Sequence, residues 1–244
     1  MPATHVQLEG GLQSGSRLAY AWLGKIVKVF PRTPHLWWSG YRSSDDLALS
    51  ENESLQFLQR ASVVQEKLDG ANVSIRVAQG RVVPENRGKP VSNHPQFDPF
   101  KAWVANHTTF SDLGTLILYG EWLYAQHGTP YDLLPDYFIV YDLYDTNTKT
   151  FLTTTAVTAL CEALGISCCT NLTVPRSPDA LLKLAGERST YSTTAPREGL
   201  YLRIEENGKC VSRAKLVRPE YQPRTNAQWV REGIIANKTN KQSE

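Results

Sequence analysis

The stretch that most constrains the fold of this chain is VVQEKLDGANVSIRV, residues 63–77. A short apolar run leads to Lys67, a turn-forming Asp69-Gly70 pair follows, and apolar and polar residues then alternate. This pattern predicts a strand, a tight loop and a second strand that form a hairpin, with Lys67 at the mouth of the loop. A lysine held in this way can act as a nucleophile if its surroundings lower its proton affinity.

The tetrapeptide Lys67-Leu68-Asp69-Gly70 also has a simpler interpretation. Asp-Gly is a common β-hairpin turn, and the turn alone explains Asp69 fully. A catalytic interpretation therefore depends on which other polar residues the chain places at the ends of its strands.

Composition and charge narrow the class of protein. The chain has 244 residues, of which 41% are hydrophobic and 20% charged, so a packed domain is expected. No apolar run is long enough to span a bilayer, and residues 1–15 do not resemble a signal peptide, so we expect a cytoplasmic protein without a membrane partner. The net charge of +2 requires any nucleic acid to be bound in a local groove.

Cysteine and histidine residues show no pattern typical of a zinc site. The cysteines contain no Cys-x-x-Cys pair, which favours free thiols in a reducing compartment. The histidines lack metal-ligand spacing, so we expect each of them at the surface or in a hydrogen bond.

Capping residues predict the helices. Ser50 and Glu53 form a capping-box pattern for a helix that ends near Arg60, with Leu55 and Leu58 facing inward. Further helices are predicted at residues 98–107, 153–164 and 178–186.

Strands and loops fill the intervals between these helices. Strands are predicted at residues 25–30, 81–83, 116–122, 137–144, 200–204 and 210–217, and a polar loop at 84–90. Several strands mixed with segregated helices predict an α+β fold with mixed or antiparallel sheets and flanking helices.

Polar residues at the ends of the predicted strands suit one ligand class. They are Lys67, Arg87, Glu121, Glu198, Arg213 and Lys215. The cations can hold phosphate oxygens, and the carboxylates can hold the waters of Mg²⁺ or ribose hydroxyls. With Tyr141 as a flat surface for a base, the set suits a nucleoside triphosphate and a divalent metal.

Six short motifs follow one another in a recognisable order. They are Glu66-Lys67-Leu68-Asp69-Gly70, Glu85-Asn86-Arg87-Gly88, Gly120-Glu121-Trp122, Phe138-Ile139-Val140-Tyr141-Asp142, Arg197-Glu198-Gly199-Leu200 and Arg213-Ala214-Lys215. In this order they resemble the nucleotidyltransferase motifs of ATP-dependent polynucleotide ligases, and they are most similar to the RNA ligase 2-like branch of the RNA ligase family. The resemblance covers about residues 25–221 and includes Asp45 and Asp46 in the segment that leads into the domain.

This resemblance implies an ATP-dependent RNA ligase. Lys67 would attack the α-phosphate of ATP, release pyrophosphate and carry AMP, with Mg²⁺ or Mn²⁺ as the metal. The AMP would pass to a 5′-phosphate end, which is then sealed to a 3′-hydroxyl. The favoured substrate is RNA, in the form of a nicked duplex. The resemblance also implies that the AMP–lysine forms in a nucleotidyltransferase domain of ATP-grasp-like ligase type with a central ATP cleft.

The resemblance also assigns roles around the nucleotide. The main chain at Glu66 and Leu68 would meet the adenine edge, with Tyr141 stacked on the ring. Asn72 would orient the phosphates or a metal-bound water, and Arg87 would contact the ribose or the substrate strand.

Four further residues complete this expected site. Glu121 would hold a ribose hydroxyl, and Glu198 would support the metal, directly or through water. Arg213, where the family usually has lysine, and Lys215 would hold the α-phosphate. Their charges, with that of the metal, are expected to lower the Lys67 pKa from ~10.4.

Domain boundaries and partners follow from the same resemblance. We expect a loosely packed segment at 1–24, the nucleotidyltransferase domain at 25–217, and a tail at 218–244 that is too short for a second domain. Such a protein would be a monomer that binds its substrate weakly or uses a helper protein. A DNA ligase, a GTP-using capping-type enzyme and a non-catalytic module that binds nucleotides or nucleic-acid ends remain open alternatives.

Overall fold

A computed structural model describes residues 30–240, so the segment at 1–24 and most of the strand predicted at 25–30 lie outside the described residues. The helices are α1 Glu51–Arg60, α2 Asp98–Asn106, α3 Thr154–Leu164, α4 Pro178–Gly186 and α5 Asn226–Glu232. The strands are β1 Val63–Lys67, β2 Ala71–Ala78, β3 Arg81–Asn86, β4 Lys89–Pro90, β5 Leu116–Trp122, β6 Phe138–Asp145, β7 Thr150–Leu152, β8 Ser167–Cys168, β9 Asn171–Leu172, β10 Gly199–Glu206 and β11 Lys209–Val217.

The strands form one mixed sheet with helices around it. Their order is β4-β3-β2-β5-β6-β7-β11-β10-β1-β9, and β8 lies beside β6. Neighbouring strands are antiparallel except β6 and β8, which are parallel. This arrangement confirms the predicted α+β class. No helix among residues 30–240 is long and apolar enough to cross a membrane.

The predicted hairpin around Asp69-Gly70 is wrong, although both of its strands exist. Strand β1 pairs with β10 and β9, whereas β2 pairs with β3 and β5. The tetrapeptide therefore connects two distant parts of the sheet. A Cβ atom on Gly70 would lie 2.6 Å from the carbonyl oxygen of Trp122, so glycine allows the connection to pass close to β5.

The predicted helices are confirmed, with one error in the face of α1. Ser50 and Glu53 form the expected capping box. Leu58 is buried as predicted, but Leu55 is exposed and Phe57 points inward instead. The buried side of this short helix is centred on Phe57 and Leu58, which leaves Leu55 at its edge.

The polar loop predicted at 84–90 is a strand and a tight turn. Strand β3 continues to Asn86, and Arg87 and Gly88 turn the chain with φ angles of 49° and 72°. Pro84 weakened the strand signal in the sequence. It is tolerated because β3 lies beside the short edge strand β4, and proline is accommodated near sheet edges.

Two apolar clusters support different parts of the sheet. One packs α2 and α3 against β2, β5 and β6, and the other packs α1 and α4 against β1, β10 and β11. The first group of strands carries Asn72, Glu121 and Tyr141, and the second carries Lys67 and Lys215. Side chains from both groups meet in one cleft.

Candidate active site

The cleft between these groups of strands has a volume of about 570 Å³. Most of the predicted site residues line it, namely Glu66, Lys67, Leu68, Asn72, Arg87, Glu121, Tyr141 and Lys215. These residues come from five strands and two loops that are far apart in the sequence, and they are neighbours in space.

Lys67 is held at the end of β1 by a carboxylate from the next strand. It pairs in register with Gly199, the first residue of β10, and Glu198 directly precedes that glycine. The Nζ atom of Lys67 lies 2.6 Å from Oε1 of Glu198. A Cβ atom on Gly199 would lie 1.9 Å from the carbonyl oxygen of Leu216, so glycine is needed where β10 begins beside β11.

The expected low pKa of Lys67 is not found in the protein without ligands. Burial acts to lower the pKa of Lys67, but the carboxylates of Glu198, Glu121 and Asp69 outweigh burial and raise it. Negative charges close to the amine favour the ammonium form. The sequence argument counted the cations around Lys67 and left out the effect of the three carboxylates on its pKa.

The two carboxyl groups beside Lys67 also have altered proton affinity. Burial raises the pKa of Glu198 to about 7 and that of Glu121 to about 8, despite the opposing charge of Lys67. Glu121 accepts a hydrogen bond from the backbone N–H of Gly70, with N and Oε1 3.2 Å apart. Within residues 30–240, Oε2 of Glu198 is buried and has no hydrogen-bond partner. Burial thus favours the protonated form of both carboxyl groups, although each lies close enough to Lys67 for its positive charge to oppose that effect.

Asn72 and Tyr141 form the opposite wall of the cleft. Asn72 faces Glu121 across the β2–β5 pair, and its side-chain amide donates a hydrogen bond to the hydroxyl of Tyr141. The Tyr141 ring packs edge-on against Phe30, with centroids 5.3 Å apart. Arg87 reaches the cleft from the exposed turn after β3.

The side chain of Glu66 contacts the segment before β10 and not Lys67. Its carboxylate accepts hydrogen bonds from the hydroxyl of Ser189 and from the backbone N–H of Thr190, the latter at 2.9 Å. Arg197 lies 3.5 Å from the same carboxylate. Glu66 therefore ties β1 to the segment before β10, while Leu68 packs in an apolar cluster at the base of the cleft.

A sequence model of the RNA ligase family matches residues 60–217. The chain belongs to the RNA ligase family. No curated protein sequence matches it significantly.

Solved structures of the RNA ligase of Naegleria gruberi share the fold of this protein. A point mutant without ligand has a TM-score of 0.56 and 15% identity, over 80% of this chain and 58% of that chain. A second mutant, with ATP and Mn, has a TM-score of 0.51 and 14% identity, over 78% of this chain and 60% of that chain. A third mutant, with AMP and Mn, has a TM-score of 0.51 and 15% identity, over 80% of this chain and 61% of that chain. The chain thus spans about three fifths of these structures.

Lys215 forms an ion pair with Asp46, a residue that the sequence analysis did not assign to the site. Its Nζ atom lies 3.0 Å from Oδ1 of Asp46, and Oδ2 of Asp46 lies 3.3 Å from Nε2 of His35. Burial acts to raise the pKa of Asp46, but hydrogen bonds from Ser43 and Lys215 outweigh it and lower the pKa. Burial, assisted by Lys215, lowers the pKa of His35 to about 4.

Arg213 does not line the cleft that contains Lys67, which differs from the sequence prediction. Its guanidinium group lies over the ring of Phe151, 3.6 Å from the centroid, and 3.5 Å from Oδ2 of Asp142. Arg213 and Lys215 share one face of β11, but two residues along a strand are roughly 7 Å apart. That spacing places Arg213 beside a second cavity, towards β7.

Asp69 has a structural role that no local pattern revealed. Its buried carboxylate accepts hydrogen bonds from the backbone N–H of Thr129, at 2.6 Å, and from the hydroxyl of Tyr221, at 2.8 Å. Its own N–H donates to the hydroxyl of Tyr131 at 2.9 Å. The loop after Lys67 is therefore fastened both to the segment after β5 and to the chain after β11.

Proposed function

We propose that this protein is an ATP-dependent RNA ligase that carries AMP on Lys67. It would transfer the AMP to a 5′-phosphate end and seal that end to a 3′-hydroxyl. The proposal is supported most directly by the 2.6 Å contact between Lys67 Nζ and Glu198 in a cleft that Lys215 and Arg87 also line. Membership of the RNA ligase family and the fold shared with ligases solved with ATP or AMP and Mn support the choice of ATP.

The first step joins Lys67 to AMP. The Nζ–Pα bond forms while the bond between Pα and the oxygen bridging to Pβ breaks, and pyrophosphate leaves with that electron pair. The ammonium group must lose two of its three protons in this process, one before attack and one as the phosphoramide forms, and the second passes to pyrophosphate or water. Glu198, with a pKa near 7, is the nearest acceptor for the first of them.

A divalent cation fits the residues of the cleft. The buried Oε2 of Glu198 has no partner and is free to bind a cation, and a cation in the cleft would favour the ionised form of Glu121, which burial disfavours. Residues 30–240 contain no group of three or more metal-ligating side chains, which suits an ion held by one or two carboxylates, phosphate oxygens and water. When bound, the cation offsets the carboxylate charge near Lys67 and stabilises charge on the phosphates.

The remaining residues of the cleft would bind parts of the nucleotide. The ring of Tyr141 and the main chain at Glu66 and Leu68 would hold the base, and Glu121 a ribose hydroxyl. Lys215 would exchange its contact with Asp46 for an oxygen of the α-phosphate, which accepts a charge-assisted hydrogen bond from an ammonium group as a carboxylate does. Asn72 and Arg87 would orient the phosphates and the incoming strand. We do not assign Arg213 to this group, since it contacts Asp142 and Phe151 instead.

The expected substrate is a nick in which base pairing holds the two ends together. With a net charge of only +2, the protein can neutralise few phosphates, so the complementary strand has to supply much of the positioning. The adenylation domain would extend over residues 25–217, with a monomer as the working unit and a helper protein where binding is too weak.

A panel of nicked duplexes tests this proposal. RNA, DNA and hybrid nicks are incubated with the protein, ATP and Mg²⁺, in parallel with nicks whose 5′ end is already adenylated and to which no ATP is added. Sealing of RNA nicks, and of adenylated nicks without ATP, is the expected result. Sealing restricted to DNA, or sealing with GTP in place of ATP, would assign the site to one of the alternative enzymes.

A further inference from the structure

A second cavity of about 510 Å³ lies beside the cleft that contains Lys67. The two cavities share Arg32 and Thr33 as lining residues, so they are continuous along one surface. The cationic residues of the second cavity are Arg32, Lys149, Lys209 and Arg213, and its described lining contains no Asp or Glu. In a protein with a net charge of +2, this is a local concentration of positive charge.

Two of these cations are not neutralised by the protein. Lys149 ends the turn between β6 and β7, and Lys209 begins β11 directly opposite Leu152 of β7. Both lysines are exposed, and within residues 30–240 neither forms an ion pair. Arg32 and Arg213 are each paired with one aspartate, Asp45 and Asp142 respectively.

The chemistry of the cavity favours phosphate over a base. Phe151 is its aromatic lining residue, and that ring is 8% exposed and covered by the guanidinium group of Arg213. A base therefore finds no free ring on which to stack. Mobile lysines on turns instead bind successive phosphates without reading sequence.

We infer that the cavity lined by Lys149, Lys209, Arg32 and Arg213 binds backbone phosphates of the substrate strand next to the end that receives AMP. This inference rests on the proposed ligase function. The cleft has its own cations, Lys67, Lys215 and Arg87, for the nucleotide. A strand whose 5′-phosphate reaches Lys67 can leave past Arg32 and Thr33 into the second cavity.

The test replaces both free lysines by a neutral side chain of similar length, in the variant Lys149→Gln/Lys209→Gln. The control, Lys101→Gln/Lys183→Gln, makes the same charge change on α2 and α4, away from both cavities. Binding of a nicked RNA duplex with a 5′-phosphate at the nick is measured over a salt series for the wild type and both variants. Melting temperatures establish that all three are folded.

The cavity variant is expected to bind the duplex more weakly, with a salt dependence that is shallower than that of the control. Loss of two phosphate contacts reduces the slope of log affinity against log salt by roughly 1.4 to 1.8. Its self-adenylation by ATP should equal that of the wild type. Unchanged binding and slope would overturn the inference, and so would a raised KM for ATP in self-adenylation, which would place the triphosphate in this cavity.

Failure of the inference can be separated from failure of the proposed function. If the wild type becomes adenylated but the cavity variant binds RNA like the control, only the inference is wrong. If the wild type never becomes adenylated, the ligase proposal is wrong, and a reduced salt slope in the cavity variant would still assign phosphate binding to this surface.

Discussion

The Nζ atom of Lys67 lies 2.6 Å from Oε1 of Glu198, at the point where the end of β1 pairs with the beginning of β10. The contact keeps the amine charged, because Glu198 and its neighbouring carboxylates raise the Lys67 pKa against the effect of burial. Nucleophilic attack requires a change in the charges around this pair, which ATP with a divalent cation would provide.

Glu198→Gln and Lys215→Ala should each slow the transfer of AMP to Lys67 by at least about 10²-fold while the protein stays folded. The first change removes the carboxylate beside the nucleophile, and the second removes a cation from the phosphate site. Removing one such electrostatic contact typically costs about 10²- to 10³-fold in rate. Self-adenylation rates measured beside thermal melting check this, and a melting transition lost with either change would show a structural role instead.

The contribution of Glu198 and Glu121 to the stability of the protein should fall as pH rises from about 4.5 to about 8. Burial raises the pKa of Glu198 to about 7 and that of Glu121 to about 8 from an ordinary value of 4.5. Between these values the folded state binds more protons than the unfolded state, so the free energy of unfolding decreases with pH.

The variant Glu121→Gln isolates this contribution. It cannot ionise, so its stability should depend less steeply on pH, and it should be more stable than the wild type at pH 8. Urea denaturation from pH 5 to pH 8.5 without divalent metal measures both slopes. Parallel curves for the two proteins would show that Glu121 ionises normally in the folded state.

Asp69→Ala should destabilise the fold considerably more than Tyr221→Phe. The alanine change leaves the buried N–H of Thr129 and the hydroxyl of Tyr221 without their acceptor. Unsatisfied buried groups cost about 1–3 kcal/mol each, whereas removal of one hydroxyl costs about 0.5–1.5 kcal/mol. Chemical denaturation gives both values, and equal losses would contradict the proposed role of Asp69 in joining the three segments.

Gly70→Ala should destabilise the protein, and Gly186→Ala should not. A Cβ atom at position 70 would lie 2.6 Å from the carbonyl oxygen of Trp122 and 2.8 Å from a methyl group of Leu123. At position 186, the last residue of α4, a Cβ atom meets nothing within 4 Å, and alanine there gains up to about 1 kcal/mol. A neutral Gly70→Ala would mean that the connection between β1 and β2 can shift away from β5.

The sequence predicted correctly those elements that depend on residues close together in the chain. The capping box of Ser50 and Glu53 and the left-handed Gly165 after α3 depend on neighbouring residues alone, and both are found. The motif order placed most of the cleft residues together, although Tyr141 and Lys215 lie within β6 and β11 and not at strand ends. The family followed from that order, and the α+β class followed from predicted strands mixed with segregated helices.

The errors around the site concern contacts between residues far apart in the sequence. Asp69-Gly70 matches a hairpin turn, yet β1 pairs with β10, and nothing within the tetrapeptide indicates that partner. The pairing of Lys215 with Asp46 joins residues from opposite ends of the described chain. Arg213 was assigned to the phosphate by its place in a motif, whereas its position two residues along β11 puts it against Phe151.

The most direct test of this account is the intact mass of the protein after incubation with ATP and Mg²⁺, followed by peptide mapping. The account predicts one added AMP, bound to Lys67, and no adduct on Lys67→Ala. GTP in the same assay should leave the mass unchanged. An adduct on another residue, or a Lys67→Ala protein that still gains AMP, would contradict the central claim that the amine held beside Glu198 is the nucleophile.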